Sequence, residues 1–578
     1  MKSITAPTHD ELQLVNDLFA MVDYSISNRK KWENKWTEIL DHVDPFEDSI
    51  FTPTGANLDN AKSTMKGRTY RSALSSDVRT MANILISQLI DPTVKWFTLN
   101  MNPEGLYSDY VRSSIIHGEL LLKEWMRSLE DLIYNICSDS DSNFYQSSGT
   151  AIREWSMLGS AVRSMSAEVL PNGTFKVKFD TVPLKQISFI TDGDGQIIFA
   201  AREITLNGYQ ALKKYGTDAI RDELNFDIPS LFRLNKKFYH IIIENNNRKN
   251  ELEPKYLGYI LDVDKRRLLT ININGVDTIF QSYDEMPYSL MTFYKNSNEL
   301  YGRSPLWYLL DEIKYLDDLV DLSKKQIEYA VRPMMAAAPD FKPPIGGFSP
   351  GRILLGGLDY DKRLALQPIP LGSVVNLSEQ IFAIKRQDIS KGLLVHDMFS
   401  PENPNMSATE VMERKIANDN IIKPIITRWE REDLARVIKF MLKKLVKIVK
   451  PFPYDMLGIN PVDFPDPISQ LNVKYNGILG RQQKRYDDMM VDKMINDISV
   501  ISQLPENTSE IVNEEEVIKF KANCYDLPNL ILRSPDETAQ IRAAKAADAN
   551  NQLQQQLIMQ NLKSMGELNS AAMKKPLT

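Results

Sequence analysis

Apolar positions along the chain change period twice, and each change predicts a change of structure. In GRTYRSALSSDVRTMANILISQLIDP, Leu74, Val78, Met81, Leu85 and Leu89 recur at three- and four-residue steps, which makes one apolar helix face. Pro92 ends that helix, and Trp96 to Leu99 follow as a short extended piece. Further helical runs are expected around 108–138 and 143–165, so that residues 8–170 read as mainly helical.

From about residue 174 the period becomes two. FKVKFDTV alternates, and ISFITDGDGQIIFAAREI reads as two strands around a Gly-rich turn. FYHIIIEN, YLGYILDV and LLTININGVDTIF continue the pattern to about 293, and Asn274-Gly275 is a two-residue hairpin signal. Antiparallel pairing is expected, and the whole chain reads as α+β and predominantly helical.

At Tyr301 the helical period returns. Leu306, Leu309, Leu310, Ile313, Leu316 and Val320 form a stripe. Ser304-Pro305 supplies a cap and a proline at the first helical position, and the helix is expected to end near Pro333. Residues 339–372 are dense in Pro and Gly, which forbids a helix and predicts a short turn-rich β module. A second helix is expected from about Ser378 to Leu394, then a polar loop HDMFSPENPNMSA over 396–408. A long helix follows from about Ala408 to Lys450, with a kink at Pro424. Ser534-Pro535-Asp536-Glu537 reads as a capping box before an Ala-, Gln- and Asn-rich end.

Composition narrows the chemistry. The 578 residues include 69 Lys and Arg against 76 Asp and Glu, a formal net charge of −7, which argues against tight nonspecific nucleic-acid binding. Two cysteines, Cys137 and Cys524, rule out a disulfide framework and fit a reducing compartment. The opening MKSITAPTHDEL has no apolar stretch behind its lysine, and no run of eighteen apolar residues exists. Neither a signal peptide nor a membrane span is expected, and a soluble intracellular product is.

No constellation reads as an active site or a cofactor site. A phosphate-loop motif is absent, which speaks against a packaging ATPase. Asp192-Gly193-Asp194-Gly195 lacks the remaining ligands of a calcium loop and is better read as a hairpin turn. His396, Asp397 and Ser400 lie close in sequence without the scaffold a triad needs. The basic amphipathic segment Arg436 to Lys450 is better read as a core helix with solvated lysines than as a membrane or phosphate contact. The five histidines are scattered singly, so no metal site is expected.

Several segments, in order, resemble the head-to-tail connector (portal) family of short-tailed bacteriophages. They are GRTYRSALSSDVRTMANILISQLIDPTVKWFTL (67–99), SNFYQSSGTAIREWSMLGSAVRSM (142–165), VPLKQISFITDGDGQIIFAAREITL (182–206), YGRSPLWYLLDEIKYLDDLVDLSKKQIEYAVRP (301–333) and MSATEVMERKIANDNIIKPIITRWEREDL (406–434). The resemblance implies a non-enzymatic, ring-shaped homo-oligomer, typically of twelve subunits, around a DNA channel. It implies a wing over 1–300, a first stem helix in 301–338, a clip over 339–372 and a second stem helix in 373–395. A tunnel loop (396–408), a long kinked helix returning to the wing (409–514), a crown (515–550) and a tail (551–578) would follow.

On that resemblance the tunnel loop would present His396, Asp397, Met398, Phe399, Ser400, Glu402, Asn403 and Asn405 to the channel. Asp311, Glu312, Asp317, Asp318 and Asp321 would form an acidic stem face that repels phosphate, and Lys342, Arg352, Asp359, Lys362 and Arg363 a clip docking surface. Implied partners are further copies of the chain, double-stranded viral DNA, the terminase packaging motor, a tail adaptor protein, and the major capsid and scaffolding proteins. The implied location is the portal vertex of the virion, after assembly in the host cytoplasm, with no membrane. The competing readings are a non-portal cytosolic or virion adaptor or scaffold, and an enzyme such as a nuclease.

Overall fold

A computed structural model describes residues 9–43, 72–90, 95–101, 116–169, 175–223, 227–246, 253–273, 276–332, 334–337, 366–369, 375–393, 421–448 and 471–475, with isolated positions besides. Nearly all of these belong to one compact unit, Met1–Ile478; a second unit, Leu479–Thr578, holds only isolated described positions.

The chain opens with the long helix α1 (His9–Val43) and α2 (Ser72–Leu89), followed by strand β1 (Phe97–Met101). The predicted α2 stripe is the core face: Val78, Met81, Leu85 and Leu89 are buried, with Leu74 half-buried at its start. Then come α3 (Ile116–Ser138), α4 (Phe144–Leu158), β2 (Ser160–Val169), β3 (Phe175–Val182), β4 (Ile187–Thr191) and β5 (Ile197–Asn207).

The helix expected over 143–165 stops seven residues early. Gly159 ends α4 in the left-handed conformation, φ 81°, and Ser160–Val169 is a strand that pairs with β3. Glycine carries that φ without a Cβ penalty. Beyond it, pairing on both edges overrides the weak helical preference of SAVRSM.

Strand β5 runs into α5 (Gly208–Tyr215), opened by a capping box in which Asn207 accepts from the Gln210 N–H and Gln210 accepts from the Asn207 N–H. After α6 (Ile228–Arg233) come β6 (Asn235–Glu244), β7 (Tyr256–Asp262), β8 (Arg267–Leu268), β9 (Ile271–Ile273), β10 (Val276–Thr278), β11 (Phe280–Tyr283) and β12 (Tyr288–Thr292). Strands β9 and β10 pair antiparallel with Ile273 opposite Val276, although Asn274 and Gly275 themselves lie outside the described residues.

One sheet has the strand order β11-β7-β6-β5-β4, all antiparallel, with β8 alongside β7. Its two faces are covered by different helices, as the period-two alternation demands. Ile241, Tyr259 and Leu261 meet Val15, Leu18, Phe19 and Val22 of α1 on one face. Phe238 and Ile260 meet Ala211, Tyr215 and Leu231 of α5 and α6 on the other. A second, three-stranded sheet has the order β12-β2-β3. The DGDG segment is the β4–β5 turn: Asp192 Oδ1 accepts from the Asp194 and Gln196 N–H groups at 3.1 and 2.7 Å.

The remaining described elements are α7 (Pro305–Val331), β13 (Met335–Ala337), β14 (Leu366–Pro368), α8 (Val375–Gly392), a helix over 421–429, a π turn (Glu430–Leu434), α9 (Ala435–Ile448) and β15 (Leu471–Tyr475). Ser304 caps α7 by accepting from the Trp307 N–H at 3.3 Å, with Pro305 at its first position. Strand β13 pairs antiparallel with β14, and β1 with β15. The departure from α geometry in the last long helix falls at the π turn, and Pro424 lies within the helix before it. Helix α9 is a core helix: Val437, Ile438, Met441 and Leu445 are buried, while Lys439 and Lys443 pair with Glu285, and Lys444 with Asp284.

Candidate functional site

The helix pair α7/α8 and the base on which it stands are the part of the chain that the sequence reading singled out. The two helices run antiparallel: Glu312 pairs with Lys385 at 2.7 Å, and Leu309 lies against Gly392, nearer the α8 C-terminus. A Cβ at residue 392 would sit 2.8 Å from Leu309 Cδ2, so glycine sets this close approach.

Helix α1 runs beside α7 in the same direction. Trp32 packs on Trp307 with ring centroids 5.3 Å apart, Glu38 pairs with Lys314, and His42 Nδ1 lies 2.8 Å from Asp317 Oδ2. Lys314 and Lys35 together hold the Glu38 carboxyl below its ordinary range. Ser390 of α8 donates to Asp77 of α2 at 3.0 Å. The base of the pair is therefore pinned by α1 and α2. Past Asp317, Leu322, Ile327, Tyr329 and Val331 of α7 are exposed, Val331 at 73%, with Leu322 and Tyr329 on one side of the helix and Ile327 and Val331 on the other; Met334 and Met335 beyond it are exposed too.

The five acidic stem positions do not share one face. Asp311 (97% exposed) and Asp318 stand exposed seven residues apart on one side of α7. Asp321 is exposed and pairs with Lys324 at 3.2 Å. Glu312 points to α8, in an ion pair with Lys385, and Asp317 to α1, in a hydrogen bond with His42. The tunnel-loop positions His396, Asp397, Met398, Phe399, Ser400, Glu402, Asn403 and Asn405 lie outside the described residues. So do the clip positions Lys342, Arg352, Asp359, Lys362 and Arg363.

Below the helix pair lies a polar node that the sequence reading missed. Arg163 of β2 and Asp433 of the π turn form an ion pair at 3.0 Å with both side chains at 0% exposure. Arg163 also donates to Ser148 Oγ at 2.8 Å and lies over the Phe144 ring, while Ser289 of β12 donates to Asp433 Oδ1 at 2.9 Å. Burial raises the Asp433 carboxyl and lowers the Arg163 guanidinium from their ordinary values; their mutual attraction opposes both shifts.

One residue earlier, Glu432 accepts from the Thr292 N–H and hydroxyl at 2.6 and 2.8 Å. Arg428 donates to the Phe293 carbonyl at 3.1 Å, and Trp429 packs on Trp155. The last long helix is thus bolted to β12 and α4 by side chains from Arg428 to Asp433. Two signals in the sequence point here: Asp433 interrupts the apolar series Ile422, Ile426, Trp429, Val437, Met441, and Arg163 follows Ala161 and Val162 and precedes Met165, all of them buried.

Nothing among the described residues assembles a catalytic or metal-binding group; no cluster of three or more His, Cys, Asp or Glu could hold a metal there. Burial pushes the Cys137 thiol up to about 12, out of the reactive range. No described helix is long and apolar enough to cross a membrane.

Residues 20–532 match the family model for the bacteriophage head to tail connecting protein. The chain belongs to this family. A probable portal protein of Bordetella phage BPP-1 is 21% identical to the connector chain over 572 residues, covering 94% of this chain and 93% of that protein. The match takes in the helix pair, its base and the polar node alike. The family is one of structural connectors of the phage particle, so this connector is read through its geometry, not through an active site.

Proposed function

We propose that the connector is a portal: a ring of about twelve copies at one vertex of the capsid of a short-tailed phage, through which double-stranded DNA is packaged and ejected. The observation that carries this reading is the helix pair α7/α8, pinned at its base by Glu38, His42 and Asp77 and bearing exposed apolar side chains beyond Asp317. Apolar side chains exposed on both sides of a helix need a covering surface, and neighbouring copies in a closed ring supply one.

In this reading residues 1–300 are the wing, 301–338 and 373–395 the stem, and 339–372 the clip on which the packaging motor and then the tail adaptor dock. Residues 396–408 are the tunnel loop and 515–550 the crown. The β13–β14 pair that closes the ends of the helix pair is the root of the clip. Asp311 and Asp318, with no ion pair to a described residue closer than the 4.0 Å between Asp311 and Lys314, are the acidic positions best placed to face a channel and keep DNA from sticking. Assembly in the host cytoplasm with capsid and scaffolding proteins completes the reading.

Solution mass and single-particle imaging of the purified chain test it. A particle near twelve times 66.1 kDa with rotational symmetry and a through-channel is expected. A protein that stays at 66.1 kDa under assembly conditions would overturn the ring.

A further inference from the structure

The described surface carries a cationic pocket that the channel reading does not use. A cavity of about 590 Å³ is lined by Lys423, Pro424, Thr427, Arg428, Arg431 and Glu432, on successive turns of the helix that enters the π turn. Lys423, Thr427 and Arg431 follow each other at four-residue steps, so they stand in one row about 6 Å apart along the axis. Among the described residues no carboxylate lies within ion-pair distance of Lys423, Arg428 or Arg431.

The one acid among the described wall residues, Glu432, accepts from the Thr292 N–H and hydroxyl and is attracted by Arg428, which leaves Lys423 and Arg431 as the less compensated cations. Arg428 uses Nη1 to hold the Phe293 carbonyl, which fixes its fork and leaves other N–H donors for a ligand. Lys295 is close enough to favour ionisation of Glu432 and adds positive charge beside the pocket. In a chain of net charge −7, three cations against one carboxylate make this a local excess of positive charge.

We propose that Lys423, Arg428 and Arg431 form a phosphate pocket that contacts the backbone of duplex DNA. The inference rests on the portal reading for the identity of the nucleic acid, and the row geometry supplies the rest. Arginine forks and lysine ammoniums match phosphate oxygens. Among the described residues of the wall there is no aromatic ring on which a base would stack, and Pro424 is the only apolar side chain. That disfavours stacking of an unpaired base and gives little anchor for an apolar peptide side chain, so phosphate is the group these cations match best.

The test uses the full-length chain in its assembled state and a fluorescently labelled duplex DNA, titrated across a salt series. Each phosphate contact contributes about 0.9 to the slope of log affinity against log salt. A Lys423→Gln/Arg431→Gln variant should lower that slope by about 1.8 or more. The charge-keeping Lys423→Arg/Arg431→Lys variant should retain it. Lys423 and Arg431 are both exposed, so these variants are expected to fold; thermal unfolding checks this, and a single Lys423→Glu variant repeats the test.

An unchanged slope in a folded, ring-forming variant would overturn the pocket. So would loss of polyglutamate binding with DNA binding intact, since that assigns the pocket to an acidic protein. A wild-type chain that forms no ring, yet loses slope on substitution, would sink the portal reading and leave the pocket standing.

Discussion

Arg163 and Asp433 meet at 3.0 Å with no solvent exposure on either side chain, joining β2 to the π turn of the last long helix. Removing one partner leaves a buried charge unpaired, at a cost of about 3–5 kcal/mol. Arg163→Met and Asp433→Leu alone should each destabilise strongly. The double variant should recover much of the loss, because two apolar side chains restore a neutral core. Chemical denaturation of the four proteins measures the coupling; additive losses would refute it.

Gly159 and Gly302 form the tightest backbone crossing described. A Cβ on Gly159 would lie 2.3 Å from the Arg303 carbonyl carbon, at φ 81°, and one on Gly302 would lie 2.4 Å from the Gly159 carbonyl oxygen. Gly159→Ala combines a left-handed backbone with overpacking and should cost about 3 kcal/mol or more. A melting temperature within a degree or so of wild type would show that the crossing can relax.

His240 sits between the hydroxyls of Tyr288 and Tyr283, with its Nδ1 2.7 Å from Tyr288. Burial, helped by Arg202 and Lys214, pushes the imidazole down to about 3. The folded state thus resists protonation that the unfolded state accepts at its ordinary 6.5. Stability from this group is complete above about pH 6.5 and is lost as pH falls toward 3. His240→Gln should flatten the stability profile in that window, read by denaturant melts at several pH values.

Glu430 shifts the opposite way in its effect. Burial raises its carboxyl to about 7 from 4.5, so the folded state holds the proton more tightly than the unfolded one. Its contribution is full below about pH 4.5 and declines as pH rises to about 7. Glu430→Gln keeps the neutral shape and should gain on wild type as pH rises through that interval. A constant difference between the two proteins would contradict the assignment.

Asp311 and Asp318 are exposed and outside the packed base, so Asp311→Lys/Asp318→Lys should change chain stability by less than about 0.5 kcal/mol per site. On the portal reading the variant assembles but passes DNA poorly, because a ring of lysines binds phosphate. In vitro packaging yield at matched ring content measures this. Unimpaired packaging would place these residues away from the channel.

Much of the local structure follows from the sequence alone, because helix and strand periods and turn chemistry are local. The α2 stripe, the Ser304-Pro305 start of α7, the β4–β5 turn at Asp192 and the two helices flanking a Pro/Gly-rich insert are all legible in residue order. So is the family, through segments met in sequence. Tertiary structure alone decided the rest. SAVRSM became a strand because β3 and β12 offered hydrogen bonds on both sides, and a partner as far along the chain as Leu290 is from Val162 is invisible to a local pattern. Glu312 and Asp317 left the presumed acidic face because Lys385 and His42 approach from other helices. Arg163 and Asp433 became a buried pair only when folding brought them together, since desolvation and attraction act through space.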